Sequence, residues 1–283
     1  EMCIRDRIFG DPEGAPVILV HGFRGDHHGL QGIAEGLAAT APGFAFHVPD
    51  LPGFGQTPAL PGRTHDLAAF GEWLVAFSRE IAPHGAIILG HSFGSLVVSS
   101  ALAQGAGSTR TILINPISAP ALEGPQAALT QLAIAYYRIA NALPERAAKG
   151  LLGNTLIVRG MSEVMAKTRD RELRAWIHDQ HDRYFSSFSD SRSLLEAFRA
   201  SVSHTVAEHA AAYDMPTLII AGERDDITPL AKQLDLQRMI PNAELLILPG
   251  TGHLVHYEAV RDTVERIAQF LPAAPATASE TSA

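Results

Sequence analysis

Residues 90–94 read Gly-His-Ser-Phe-Gly and follow directly on the apolar run Ala86–Leu89. One serine, Ser92, thus stands between two glycines just where a hydrophobic stretch ends. The chemistry such a placement serves is nucleophilic attack. The apolar run predicts a strand, and Phe93–Ala103 predicts a helix with Gly105 as its stop signal. A sharp turn between the two forces the serine into a sparsely populated backbone conformation. Residues two before and two after it come too close to carry side chains, a condition that Gly90 and Gly94 meet. The hydroxyl then stands clear of the turn, above a helix N-terminus that favours developing negative charge.

A serine hydroxyl is a weak nucleophile at neutral pH. It needs a base to take its proton, and the base needs an acid to orient it. The chain has 13 histidines to draw on. His27, His28 and His91 fall in loops beside the chemistry-bearing motifs and are candidates for the pocket. No trio at metal-ligand spacing stands out among the others, so no metal site is expected.

The elements that position these groups follow from short apolar runs. Val17–Val20, Phe44–Val48, Ile87–Leu89, Thr111–Ile114, Thr217–Ala221 and Leu245–Leu248 alternate with helical patterns. Runs this short, apolar on both faces, predict an α/β fold with a mostly parallel, doubly wound sheet. Functional residues are then expected just past the carboxyl ends of the strands. Between Ile117 and Tyr213 the alternation stops and helical patterns take over: Gln126–Leu143, Ala147–Leu152, Ser162–Lys167, Arg171–Phe185, Arg192–His204 and Val206–Ala212. The large aromatics Tyr136, Tyr137, Trp176, Tyr184, Phe185 and Phe188 concentrate here. The segment 117–212 is expected to be an inserted helical lid, the alternative being helices that simply pack on a sheet face. The core is expected over 8–116 and 213–271.

The 283 residues suffice for one large domain or a domain with an insertion, and a net charge of −8 without a basic stripe argues against a nucleic-acid partner. No apolar run approaches the roughly 18–20 residues of a membrane span. The single Cys3 excludes a disulfide framework. With no secretory apolar stretch at the start, a cytoplasmic location is expected, although the chain begins at Glu1 and a leader could precede it. Residues 1–7 fit no periodic pattern and read either as a non-native addition or as an ordinary polar arm. The tail 272–283 is low in bulky apolar residues and is expected to be disordered. Oligomeric state is left open.

From Phe9 to Leu271 the chain resembles the α/β-hydrolases, of the lidded, cofactor-free kind. The resemblance rests on five motifs in the family's order: HGF at 21–23, DLPGFGQT at 50–57, GHSFG at 90–94, GERDDITP at 222–229 and GTGH at 250–253. It implies Ser92 as nucleophile, His253 as base and Asp225 as acid. The backbone N–H groups of Phe23 and Phe93 are implied as oxyanion donors. The spacing from Gly222 and to Pro229 selects Asp225 over Asp226, which is expected to face solvent or cap the next helix. Asp50 is read as holding the DLPGFGQT turn. His91, Tyr136, Trp176 and Phe185 are expected in the substrate pocket. The implied reaction is hydrolysis of an ester or related acyl bond of a small, largely apolar substrate, with no cofactor. Other triad chemistry in the same fold, such as C–C hydrolysis, perhydrolysis or a lyase reaction, and a non-catalytic ligand receptor remain as alternatives.

Departures from the family narrow this. Ser92 argues against the members with an aspartate nucleophile. The family's alternative acid position holds Asn115, which cannot carry the charge. C–C hydrolases usually show tryptophan after the final histidine, where this chain has Leu254. The short stretch before His21 leads to a further expectation: the family's first antiparallel strands are missing, and Val17–Val20 stands near a sheet edge.

Overall fold

The computed structural model describes residues 5–122 and 127–273. Most of the arm 1–7 and of the tail 272–283, and residues 123–126 between them, lie outside the described residues. Among those described, β1 (Asp6–Gly10), β2 (Ala15–Val20), β3 (Phe44–Pro49), β4 (Ala86–His91), β5 (Ser108–Ile114), β6 (Thr217–Gly222) and β7 (Ala243–Leu248) form one sheet. Their order is β1-β3-β2-β4-β5-β6-β7, and every pairing is parallel except β1 with β3.

Helices α1 (His27–Thr40), α2 (Leu67–Ile81) and α3 (Phe93–Ala103) follow β2, β3 and β4. Between β5 and β6 come α4 (Ala127–Asn141), α5 (Glu145–Leu152), α6 (Thr155–Met165), α7 (Arg171–Tyr184), α8 (Ser191–Ser203) and a 3-10 turn over Val206–Ala212. Helix α9 (Leu230–Met239) leads from β6 to β7, and α10 (Val255–Glu258) and α11 (Val260–Phe270) follow. Aspartates start several of these. Asp26 accepts from His28 N ahead of α1, and Asp66 accepts from Ala69 N ahead of α2.

The alternation of side chains along each strand divides the core in two. Val17, Leu19, Ile87, Leu89, Ile112, Ile114, Leu218 and Ile220 face one side, under α1 and α11. Ile18, Val20, Ile88, Leu113 and Ile219 face the other, under α2, α3 and α9. Both faces of the inner strands are therefore apolar, which is why these strands read as continuous hydrophobic runs.

One expectation is corrected here. Val17–Val20 is not near an edge, because β2 lies between β3 and β4, and the edge is β1; the antiparallel start expected to be missing is also present in part, since β1 precedes β2 and runs antiparallel to β3. Asp6 and Arg7 pair with Pro49 and Val48, and the Asp6 carboxylate accepts from His47 Nδ1 at 2.7 Å. An edge strand covered on one side needs no apolar run. The pattern that finds buried strands therefore passes over Asp-Arg-Ile-Phe-Gly.

The helices between β5 and β6 pack among themselves, α4 on α5 and α8, and α6 on α7, while α8 also reaches α2. The 3-10 turn lies instead against α3 and α9. Among the described residues, no helix is long and apolar enough to cross a membrane.

Candidate active site

The loops at the carboxyl ends of β4, β5, β6 and β7 carry Ser92, Asn115, Asp225 and His253. Ser92 joins β4 directly to α3 with φ +52°, a left-handed backbone that non-glycine residues seldom adopt. The flanking glycines are required by close approach. A Cβ on Gly94 would collide with the Val20 carbonyl, and one on Gly90 would lie 2.6 Å from the Gly94 carbonyl oxygen. The Ser95 hydroxyl tightens the turn by donating to the Ser92 carbonyl at 2.5 Å.

Ser92, Asp225 and His253 form one line of hydrogen bonds. Ser92 Oγ lies 2.8 Å from His253 Nε2, and His253 Nδ1 lies 2.8 Å from Asp225 Oδ2. All three are more than nine-tenths buried. Burial would push the Asp225 carboxyl up, but the facing His253 and two bonds from Thr228 override it and hold it at about 2. An ionised carboxylate only accepts, so His253 carries its proton on Nδ1 and offers the Nε2 lone pair to the serine. Asp225 Oδ1 accepts from Ile227 N and Thr228 N, while Oδ2 accepts from Thr228 Oγ1 (2.6 Å) and Asn115 Nδ2 (2.5 Å) as well as from the imidazole. Asp226 points away, half-exposed or more, in an ion pair with Lys167. The cap of α9 is Pro229, so of the two roles expected for Asp226 it takes the solvent-facing one.

Phe93 opens α3, where helix N–H groups have no acceptor within the helix, and Phe23 lies in the loop after β2. The Phe23 ring meets Phe54, Phe93, Tyr137 and Phe198 with centroids 5.4–6.4 Å apart. Asp50 holds its turn: its carboxylate accepts from His27 N, His27 Nδ1 and Gln56 N.

The four residues expected in the pocket fare differently. Tyr136 donates its hydroxyl to the Leu151 carbonyl, and its neighbour Tyr137 is the one that meets Phe23. Trp176 is 45% exposed and packs edge-on to Tyr257, with no contact to the rings around Phe23. Phe185 caps α7 and lies under the Arg24 guanidinium. His91 stands behind His253, with Nε2 3.3 Å from the His253 carbonyl and its ring against His256. The sequence names Tyr137 only among the insertion's aromatics and Asn115 only as an acid position without a charge, and nothing in it points to Phe198, Arg24 or Glu258. Glu258 fastens the His253 loop to the insertion, accepting from Gly252 N, Lys167 N and Thr168 N. Asp26, His27 and His28 bring ligand-type atoms within 4.8 Å of one another, a grouping that spacing did not reveal. Each of the three is already engaged: Asp26 caps α1, His27 pairs with Asp50 and His28 stacks on Tyr184.

Burial, chiefly, lowers the pKa of several rings. His91 is pushed down to about 3 and His181 to about 4, and His21 and His256 are also lowered. Burial pulls His27 down as well, but the bond to Asp50 together with the charges of Asp50 and Asp26 outweighs it and leaves the ring raised. A ring whose folded pKa lies below the unfolded value of about 6.5 binds a proton only on unfolding. Its stabilising effect is complete above that pH and is lost as pH falls toward 4 and 3. For His91 and His181 this amounts to about 2 kcal/mol each at pH 5. Urea unfolding is expected to show a lower midpoint at pH 5 than at pH 7. An unchanged midpoint would show that these rings are not held neutral.

Comparison with known proteins gives the family. Residues 17–266 match the profile described as "Alpha/beta hydrolase family". The dihydrolipoyllysine-residue acetyltransferase component of the acetoin cleaving system of Pseudomonas putida is 28% identical over 269 residues. The alignment covers 93% of this chain, which spans only 65% of that relative's length. A pimeloyl-(acyl-carrier protein) methyl ester esterase of Chromobacterium violaceum is 26% identical over 259 residues, 92% of this chain and 95% of that one. Among solved structures, a thermophilic esterase from Thermogutta terrifontis superposes with a TM-score of 0.74 at 22% identity, covering 94% and 92% of the two chains. The esterase EaEST from Exiguobacterium antarcticum gives 0.76 at 16%, covering 94% of each. These two likenesses are likenesses of fold. The profile match runs from β2 into α11 and takes in Ser92, Asp225 and His253, so the chain belongs to the alpha/beta hydrolase family.

Proposed function

We propose that this chain is a serine hydrolase that cleaves an ester or related acyl bond of a small, largely apolar substrate. The observation that carries the reading is the buried Ser92–His253–Asp225 line on a strained strand-to-helix turn. His253 Nε2 takes the Ser92 proton as Oγ attacks the carbonyl, and Asp225 stabilises the imidazolium that forms. The oxyanion of the tetrahedral intermediate is met by the N–H groups of Phe23 and Phe93. His253 then protonates the leaving alcohol, leaving an acyl-enzyme. The same ring activates water to hydrolyse that intermediate. The esterase names among the relatives, the pimeloyl methyl ester esterases in particular, support an ester as the bond cleaved. A panel of p-nitrophenyl esters of increasing acyl length tests the reading. Absence of turnover on every member, with folded protein, would refute it and leave the receptor or another triad chemistry.

In this reading the insertion acts as a lid and sets chain-length preference through the rings around Phe23. Tyr137→Ala and Phe198→Ala are expected to favour longer acyl chains. A methylene in an apolar pocket is worth about 1–3 kcal/mol, so the long-to-short ratio of kcat/KM should rise about tenfold or more. Trp176→Ala, on the outer face, should leave the ratio within about twofold. A shift with Trp176→Ala and none with the other two would overturn this placement of the acyl site.

A further inference from the structure

Arg24 follows Phe23 directly, on backbone with φ +62°, and is 1% exposed. A guanidinium withdrawn from water this far is costly unless its N–H groups find acceptors, and a carboxylate usually supplies them. Among the described residues no carboxylate pairs with Arg24. Its donors all go to the insertion. Nε donates to the Phe185 carbonyl at 3.0 Å, and Nη2 donates to the Leu152 carbonyl at 2.7 Å. Longer contacts of 3.4 Å run from Nη2 to the Ser186 hydroxyl and from Nη1 to the Tyr137 hydroxyl. The Phe185 and Phe188 rings lie 5.1 and 5.9 Å from the guanidinium carbon.

The acceptors explain how the charge is tolerated. Leu152 is the last residue of α5 and Phe185 is the C-cap of α7. The final carbonyls of a helix have no partner within it and carry the negative end of its dipole. Two helix C-termini thus converge on one cation in place of a carboxylate. They come from parts of the insertion distant in sequence, and the residue they hold is the neighbour of a proposed oxyanion donor.

We propose that Arg24 is a positioning residue that couples seating of the insertion to assembly of the oxyanion site. Docking of the α5 and α7 C-termini on the guanidinium fixes the loop that presents the Phe23 N–H. The proposal rests on the serine-hydrolase reading above. A lysine cannot replace the arginine, because one ammonium on a flexible stem lacks the planar fork that reaches acceptors on separate segments.

The test compares wild type, Arg24→Met and Arg24→Lys as full chains. Three quantities are measured: ester turnover, inhibition by an alkyl boronic acid that forms a tetrahedral adduct on Ser92, and inhibition by the product carboxylic acid. Loss of a well-placed oxyanion donor costs roughly 10²–10³-fold, so both variants are expected to lose about 10²-fold in kcat with KM within about threefold. Boronate affinity should fall with kcat while product affinity holds. Amide hydrogen exchange supplies a readout independent of catalysis. Residues 152–155 and 185–189 should exchange at least tenfold faster in the variants, and β4 and α3 at the wild-type rate. Turnover within threefold of wild type overturns the proposal, as does equal loss of boronate and product affinity. Should Arg24→Met not fold, Arg24→Lys, which keeps charge and stem, carries the same comparison. If wild type turns over no ester and binds no boronate, the hydrolase reading fails instead, and hydrogen exchange still decides whether Arg24 ties the insertion down.

Discussion

Replacing Ser92 with alanine is expected to lower ester turnover by roughly 10⁶-fold, the scale of losing the nucleophile from a serine triad, and to abolish labelling by a serine-reactive phosphonate. The fold should survive. The left-handed turn is enforced by Gly90, Gly94 and the ladder bond from Ser92 N to the Ile114 carbonyl, none of which involves the hydroxyl. The one side-chain bond lost is that to His253 Nε2, a contribution of about 1 kcal/mol. Phosphonate labelling followed by intact-mass spectrometry checks the assignment, with circular dichroism as the control for folding. Equal labelling of wild type and variant would mean that another residue is the nucleophile.

The second large effect separates two neighbours. Asp225→Asn is expected to reduce kcat by roughly 10³–10⁴-fold. The geometry gives the reason. Both oxygens of Asp225 accept only from donors: two backbone N–H groups on Oδ1, and Asn115, Thr228 and His253 on Oδ2. An asparagine amide must turn its own NH₂ toward one set or the other. Against Oδ2's partners it drives His253 to the wrong tautomer, with a proton on Nε2 facing the serine. Against Oδ1's partners it sets N–H against N–H in a buried loop. Asp226→Asn removes only an exposed ion pair with Lys167, worth up to about 1 kcal/mol, so its cost should stay below about tenfold. Measured side by side, a larger loss from Asp226→Asn would show that the acid is the other residue.

Much of this was legible in the sequence because it is local. A serine between two glycines after an apolar run describes a turn that sterics alone dictate. The inner strands announce themselves because both their faces are buried. What escaped depends on contacts distant along the chain. β1 is half-exposed and lacks an apolar run. Tyr136 and Tyr137 differ by about 100° around α4, and no spacing shows which of them meets Phe23. Trp176 looks like a pocket residue by type, yet α7 turns it to the Tyr257 side. Asn115 reads as an acid position without a charge, but its amide donates to Asp225 after the next strand. Nothing in the sequence sets Arg24 apart from the other scattered cations, and only the two helix ends that close on it show that it is buried.

The adjacency of β5 and β6 also has a consequence for synthesis. β5 ends at Ile114 and its partner begins at Thr217, with α4–α8 in between. At about 5–20 residues per second, a ribosome leaves the hydrogen-bonding edge of β5 unpaired for roughly 5–20 s after that strand emerges. Ser92 and its glycine turn are made well before Asp225 and His253, so the nascent chain carries an open parallel edge and an incomplete site together. An exposed apolar edge of this kind templates pairing with other chains. Truncations between Ile117 and Tyr213 should therefore aggregate, and expression of the full chain should gain from slower initiation or from chaperones that hold the edge until β6 arrives.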